Sequence, residues 1–188
     1  MKTLLWILVA VLCLIIGVYP FTYLVVGGKF GLLQTKSDTL LTNEWWRLGF
    51  YVHIVGAGVA LFVGWTQFVQ SLRTRYSRIH RNLGKLYVLM VCMSGVAAVC
   101  IAPFSSAGPV AGLGFGSLGV IWLYFTVQAY RSVRQRDLRR HECLMIYSYS
   151  ACMSAVTLRL WLPLLVVVCR LDFNLAYPIV AWLSWVPN

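Results

Sequence analysis

The sequence predicts an all-α fold: a polytopic membrane helix bundle of five full transmembrane helices plus a short sixth C-terminal helix, forming one transmembrane domain over residues 1–188. Three observations predict it. Hydrophobic residues make up 60% of the chain and charged residues 11%, against ~45–50% and ~25% in a soluble domain. Several charge-free runs exceed the ~20 residues that one bilayer crossing needs. Ten of the sixteen basic residues fall in just two loops. That clustering makes the net charge of +11 a signal of topology and excludes nucleic acid, the partner it would imply in a soluble chain.

The first helix is expected over residues 3–26. The run is too long for a signal-peptide core and lacks a small-x-small cleavage site, so it reads as a retained helix, bent at Pro20. Residues 27–44 form a polar connection of mixed charge outside the membrane. Trp45, Trp46 and Arg47 mark an interface, because indole rings prefer the headgroup level. The second helix follows over 47–72. His53, Ala57, Ala60, Gly64, Gln67 and Ser71 recur along one of its faces at steps of three or four, a small-and-polar stripe of the kind that lets helices approach closely.

Helices three (82–103) and four (110–131) make a hairpin, because no charge interrupts Leu86 to Tyr130 while Pro103 to Pro109 breaks the helix. Gly112, Gly114, Gly116 and Gly119 give helix four a surface for close packing. The fifth helix is expected over 141–169, with Pro163 near its end. The sixth, over 173–187, falls short of a ~30 Å hydrocarbon core at ~1.5 Å per residue.

Orientation follows from the arginines. The second-to-third and fourth-to-fifth loops hold five basic residues each, and the Phe104–Gly108 turn holds none. The basic loops and the amino terminus are therefore expected on the cytoplasmic side. This puts His80 and His141 at the inner face and His53 nearer the outer one. The six cysteines form no Cys-x-x-Cys pair and read as small buried residues, although Cys100 and Cys169 fall near the same outer face.

A repeated pattern carries the candidate chemistry. His80 stands in Ser-Arg-Ile-His-Arg-Asn-Leu-Gly-Lys-Leu-Tyr87, ahead of Cys92-Met93-Ser94. His141 stands in Leu-Arg-Arg-His-Glu-Cys-Leu-Met-Ile-Tyr147, ahead of Cys152-Met153-Ser154. Two helices thus enter one membrane face with a histidine at the same depth, placed to share a ligand. The plainer reading is two interfacial histidines that meet only water and lipid phosphate. Arg159 lies five helical turns beyond His141, about 27 Å along the same face, at a depth close to His53. An intramembrane arginine is costly, so it either snorkels to the headgroups or joins His53 in an outer polar site. The five carboxylates all lie at loops or helix ends, which argues against a buried acid–base enzyme.

His53 with Gln67, Arg-x-His80-Arg-x-Leu-Gly84-x-x-Tyr87, and Arg-Arg-His141 through Met145, Tyr149 and Thr157-x-Arg159-Leu together resemble a family of bacterial multi-helix membrane proteins known as a domain of unknown function. The resemblance runs from about Trp46 to Asn188 and implies a bacterial cytoplasmic membrane. A more distant similarity is to the diheme transmembrane cytochromes b that carry electrons from ascorbate. It implies one heme b with His80 and His141 as axial ligands to the iron. No histidine on helix four completes an outer pair with His53. Gly84, one turn from His80, would leave room for a porphyrin edge. Arg81 and its neighbours would pair with propionates, and Gln67 would hydrogen-bond an imidazole. The function implied is a transmembrane oxidoreductase of cytochrome b type, passing electrons from a quinone-type or other membrane redox partner. The alternative is a non-catalytic scaffold, lipid-binding or accessory subunit of a larger complex.

Overall fold

The computed structural model describes residues 2–26 and 29–188; Gly27 and Gly28, where the first connection opens, lie outside them. Helix α1 (Lys2–Val18) gives way to a 3-10 turn over Tyr19–Phe21 and resumes as α2 (Thr22–Val26). Pro20 causes the break, because it has no N–H to donate and its ring collides with the preceding turn. The connection then folds into a 3-10 turn (Gly31–Thr35) and a single turn, α3 (Asp38–Leu41).

Helix α4 (Glu44–Gly64) starts on Asn43, whose side chain accepts from the Trp46 amide at 3.0 Å. It ends earlier than a continuous helix over 47–72 requires. Trp65–Phe68 tighten to 3-10 geometry, Val69 is extended, and a short α5 (Gln70–Thr74) follows. Thr66 contributes to this, since its hydroxyl bonds back to the Val63 carbonyl and pulls the last turn out of register.

Helices α6 (Ser77–Ile101) and α8 (Leu138–Pro163) start earlier than residues 82 and 141. Each histidine therefore sits in the first turn of its helix. Between these two runs α7 (Pro109–Arg134), and beyond Pro163 the chain widens to a π turn over Leu164–Val168. The last helix, α9 (Phe173–Leu183), stops short of 187. Among the described residues five segments are long and apolar enough to cross a membrane: Trp6–Val26, Glu44–Phe68, Ser77–Phe104, Pro109–Arg134 and Leu138–Val168. At its eleven residues α9 extends only about 17 Å.

The packing is that of a membrane protein, with large apolar side chains turned outward along the spans. Ile15, Leu24, Leu89, Leu113, Val120 and Leu160 are all more than half exposed. With lipid as the alternative environment, apolar burial contributes little to association; close packing and interhelical hydrogen bonds hold the helices together. Helices α4, α6, α7 and α8 pack in sequence and close through α4 and α8, while α1 lies against α4 and α8, and α9 against α7 and α8. The small-residue stripe of α4 turns inward, with Ala60 and Gly64 buried, and Gln67 in the 3-10 turn that follows is buried as well. Where α1 crosses α4, a Cβ at Gly58 would stand 2.6 Å from the Gly17 carbonyl, so only glycine permits the approach. The glycines of α7 serve packing too, with Gly112 against the Ala102 backbone and Gly114 against Ala181 of α9.

Candidate histidine site at the basic end

His80 and His141 share one register, each being the fourth residue of its helix. Those helices flank α7. About two turns further in, their facing sides meet where the Tyr87 and Ser148 hydroxyls lie 2.8 Å apart. His141 Nδ1 stands 2.9 Å from the Ala129 carbonyl oxygen of α7. A carbonyl can only accept, so Nδ1 donates, and in the neutral ring Nε2 keeps a free lone pair. His80 Nδ1 is buried with no partner among the described residues, a state that costs about 1–3 kcal/mol if nothing satisfies it.

The remaining expected site residues are placed as follows. Gln67 is buried, its amide oxygen 3.1 Å from where a Cβ on Gly84 would stand, so the space left by the glycine holds this amide. Gln67 Nε2 donates to Thr66 Oγ1 at 3.3 Å and not to an imidazole. Arg81 is exposed. Arg73, in electrostatic range of His80, donates to Glu142 of α8 at 2.9 Å and clips α5 to the start of that helix. Among the described residues no three His, Cys, Asp or Glu side chains converge. The side chains at this end that could bind a group are the two imidazoles and the arginines around them.

Beneath the histidines lies a hydroxyl ring that the sequence reading missed. Thr126 Oγ1 donates to the Trp122 carbonyl at 2.7 Å, so towards Ser148 (2.6 Å) it must accept. Ser148, having spent its one proton there, accepts from Tyr87, and Tyr87 accepts from Trp122 Nε1 at 3.4 Å. Each hydroxyl gives one bond and takes one, and the circuit starts and ends on Trp122. The signal was present, because Tyr87 and Ser148 stand at the same distance from their histidines. Matching the repeats by residue type instead pairs Tyr87 with Tyr147, which is 53% exposed and stacks on Phe125.

His53 and Arg159 lie toward the end of the bundle away from the basic loops, each with its own hydrogen-bond partner. His53 Nδ1 lies 3.1 Å from both the hydroxyl and the carbonyl of Ser94. Because the Ser94 hydroxyl donates to the His53 carbonyl at 2.8 Å, Nδ1 is the donor. Arg159 Nη1 donates to the Ala155 carbonyl at 2.7 Å, and its guanidinium lies 5.0 Å from the Tyr19 ring centroid. Tyr23 and Tyr177 complete its surroundings.

The 29–43 connection closes over this end. Thr35 and Ser106 share a hydrogen bond of 2.6 Å, and Lys36 Nζ donates to the Phe104 carbonyl. Partial burial pushes the Lys36 ammonium below its usual range. Gly31 has φ of +54° and faces the Tyr23 hydroxyl, which would lie 2.6 Å from an added Cβ. Gly31→Ala is therefore expected to loosen the cap by about 1–3 kcal/mol. Hydrogen exchange of the Leu32 amide, which donates to Tyr23 Oη at 3.2 Å, should accelerate in that variant; unchanged exchange would show that the cap does not depend on this contact. Cys100 and Cys169 are both exposed free thiols and are not bridged.

The fold defines a polytopic integral membrane protein with one histidine in the first turn of each of two helices at its basic end. The family model described as predicted membrane protein (DUF2306) matches residues 50–188, well over half of the chain, and the chain belongs to that family. No curated protein and no solved structure matches it.

Proposed function

We propose that this protein is a membrane electron carrier that binds one heme b between His80 and His141, at the end of the bundle that its basic loops assign to the bacterial cytoplasm. The observation that carries the reading is the unequal state of the two imidazoles at one depth. His141 is oriented by the Ala129 carbonyl with Nε2 free, and His80 holds a buried nitrogen with no partner among the described residues. Heme bound there supplies reversible one-electron iron chemistry. The chain's own residues would do the rest: the Ala129 carbonyl would fix the tautomer of one ligand, and Arg81 would offer charge to propionates. A quinol or another membrane reductant, or a partner subunit, is the proposed electron partner.

One observation favours the alternative of an accessory or lipid-binding subunit: the Gln67 amide already occupies the space beside Gly84. The visible spectrum separates the two. Protein produced with ample heme is expected to show a low-spin bis-histidine spectrum that His80→Ala and His141→Ala each abolish or convert, and that His53→Ala leaves in place. A folded, monodisperse protein that stays colourless after heme addition supports the accessory role and overturns the carrier.

A further inference from the structure

We infer that Arg159 is the anchor of a second site, away from the histidine pair, that binds an oxyanion: a carboxylate or phosphate group. Arg159 carries a fixed charge inside a transmembrane span, and the described residues offer it no carboxylate. Its neighbours are a tyrosine face, two further tyrosines and a histidine, drawn from the Tyr19 turn, α2, α9 and α4. Of the five N–H donors of a guanidinium, the Ala155 carbonyl takes one. Its remaining nitrogens make no hydrogen bond to the described residues. A charge so placed is strongly favoured by a counter-ion, and a planar fork of donors matches two oxygens on one centre.

Plain snorkelling does not account for the surroundings. The guanidinium lies over Tyr19, inside the layer that Gly31 and Leu32 cap, and that layer brings more donors. Tyr23 Oη accepts from the Leu32 amide at 3.2 Å and stands with the Tyr19 hydroxyl against Gly31, so that even when one phenol gives its proton to the other the pair keeps one for an anion. The site stands whether or not a heme is bound, since it draws on none of the same side chains.

The test uses the full chain in nonionic detergent, washed free of phospholipid, with thermal unfolding as the readout. Three probes are added separately: inorganic phosphate, benzoate, and phosphatidylglycerol mixed into the micelle. The wild type is expected to be stabilised saturably by at least one. A response to phosphate or benzoate identifies a soluble oxyanion, and a response to phosphatidylglycerol alone identifies a lipid phosphate. Arg159→Gln is expected to weaken that response about tenfold or more, from the loss of charge-assisted hydrogen bonds, and Arg159→Lys to retain part of it. Arg170→Gln, an exposed arginine in the α8–α9 turn, should leave it unchanged. Should Arg159→Gln not fold, Tyr23→Phe provides the second variant, with a weaker response expected. No stabilisation of the wild type by any probe, or an equal response in the Arg159 and Tyr23 variants, overturns the site.

Discussion

Tyr87→Ala is expected to destabilise the bundle by about 3–5 kcal/mol, the range for truncating a large buried aromatic. Tyr87 has no exposed surface and fills the space where α6, α7 and α8 converge. In lipid the cost does not come from moving apolar surface into water, because the separated helices remain in the bilayer. It comes from the lost packing and from opening the hydroxyl ring, which leaves Trp122 Nε1 without an acceptor and Ser148 without a donor. Tyr87→Phe keeps the ring of carbons and removes one hydroxyl, so about 1–3 kcal/mol is expected. Tyr124→Ala, on the lipid-facing side of α7 at 56% exposure, should stay within about 0.5 kcal/mol. Reversible unfolding in mixed micelles gives all three values, and a Tyr87→Ala effect no larger than that of Tyr124→Ala would contradict the packing described.

Gly64→Leu is expected to prevent accumulation of folded protein. Even the first added carbon would stand 2.4 Å from Tyr149 Cε2 and 3.0 Å from Tyr87 Cε2. Neither ring can yield cheaply. Tyr149 Oη is held by Cys13 Sγ at 3.1 Å and the Leu61 carbonyl at 3.3 Å, and Tyr87 by the hydroxyl ring. Overpacking of one or two methylenes costs about 1–3 kcal/mol, and leucine adds more than that. Gly116→Ala is the contrasting case. Its Cβ would meet the Ala102 methyl at 3.5 Å, an ordinary contact, and alanine favours a helix over glycine by about 1 kcal/mol. Gly116→Ala should therefore match or exceed the wild-type melting temperature; a Gly64→Leu protein as stable as Gly116→Ala would refute the crowding at Tyr149.

Hydropathy and punctuation made the spans legible, because lipid imposes one requirement on every crossing: a long apolar helix with its backbone bonds satisfied internally. Pro20, Pro163 and the Pro103–Pro109 turn mark real interruptions for the same reason. The break at Val69 was not legible, since nothing in Trp-Thr-Gln-Phe-Val marks a strong helix breaker and the local tightening depends on one threonine hydroxyl. The shared register of His80 and His141 could be read from spacing. Their surroundings could not, because Ala129 and Arg73 reach the site from two other helices, α7 and α5. The repeat itself misled at one point. Tyr147 matches Tyr87 by type but sits one residue short of the register that returns to the same helix face, so it points toward lipid while Ser148 and Tyr149 point inward. The tyrosines around Arg159 were likewise hidden, as they come from three segments with no common motif.

The number of hemes per chain tests the central proposal most directly. Purified protein from heme-replete cells, quantified by extraction of its heme as the pyridine complex, is expected to contain one non-covalent heme b per chain, lost in His80→Ala and in His141→Ala. The lone His53 and a fourth membrane span without histidine offer no second pair. A heme content of zero in folded wild type, or a full heme retained when both His80 and His141 are alanine, would contradict it.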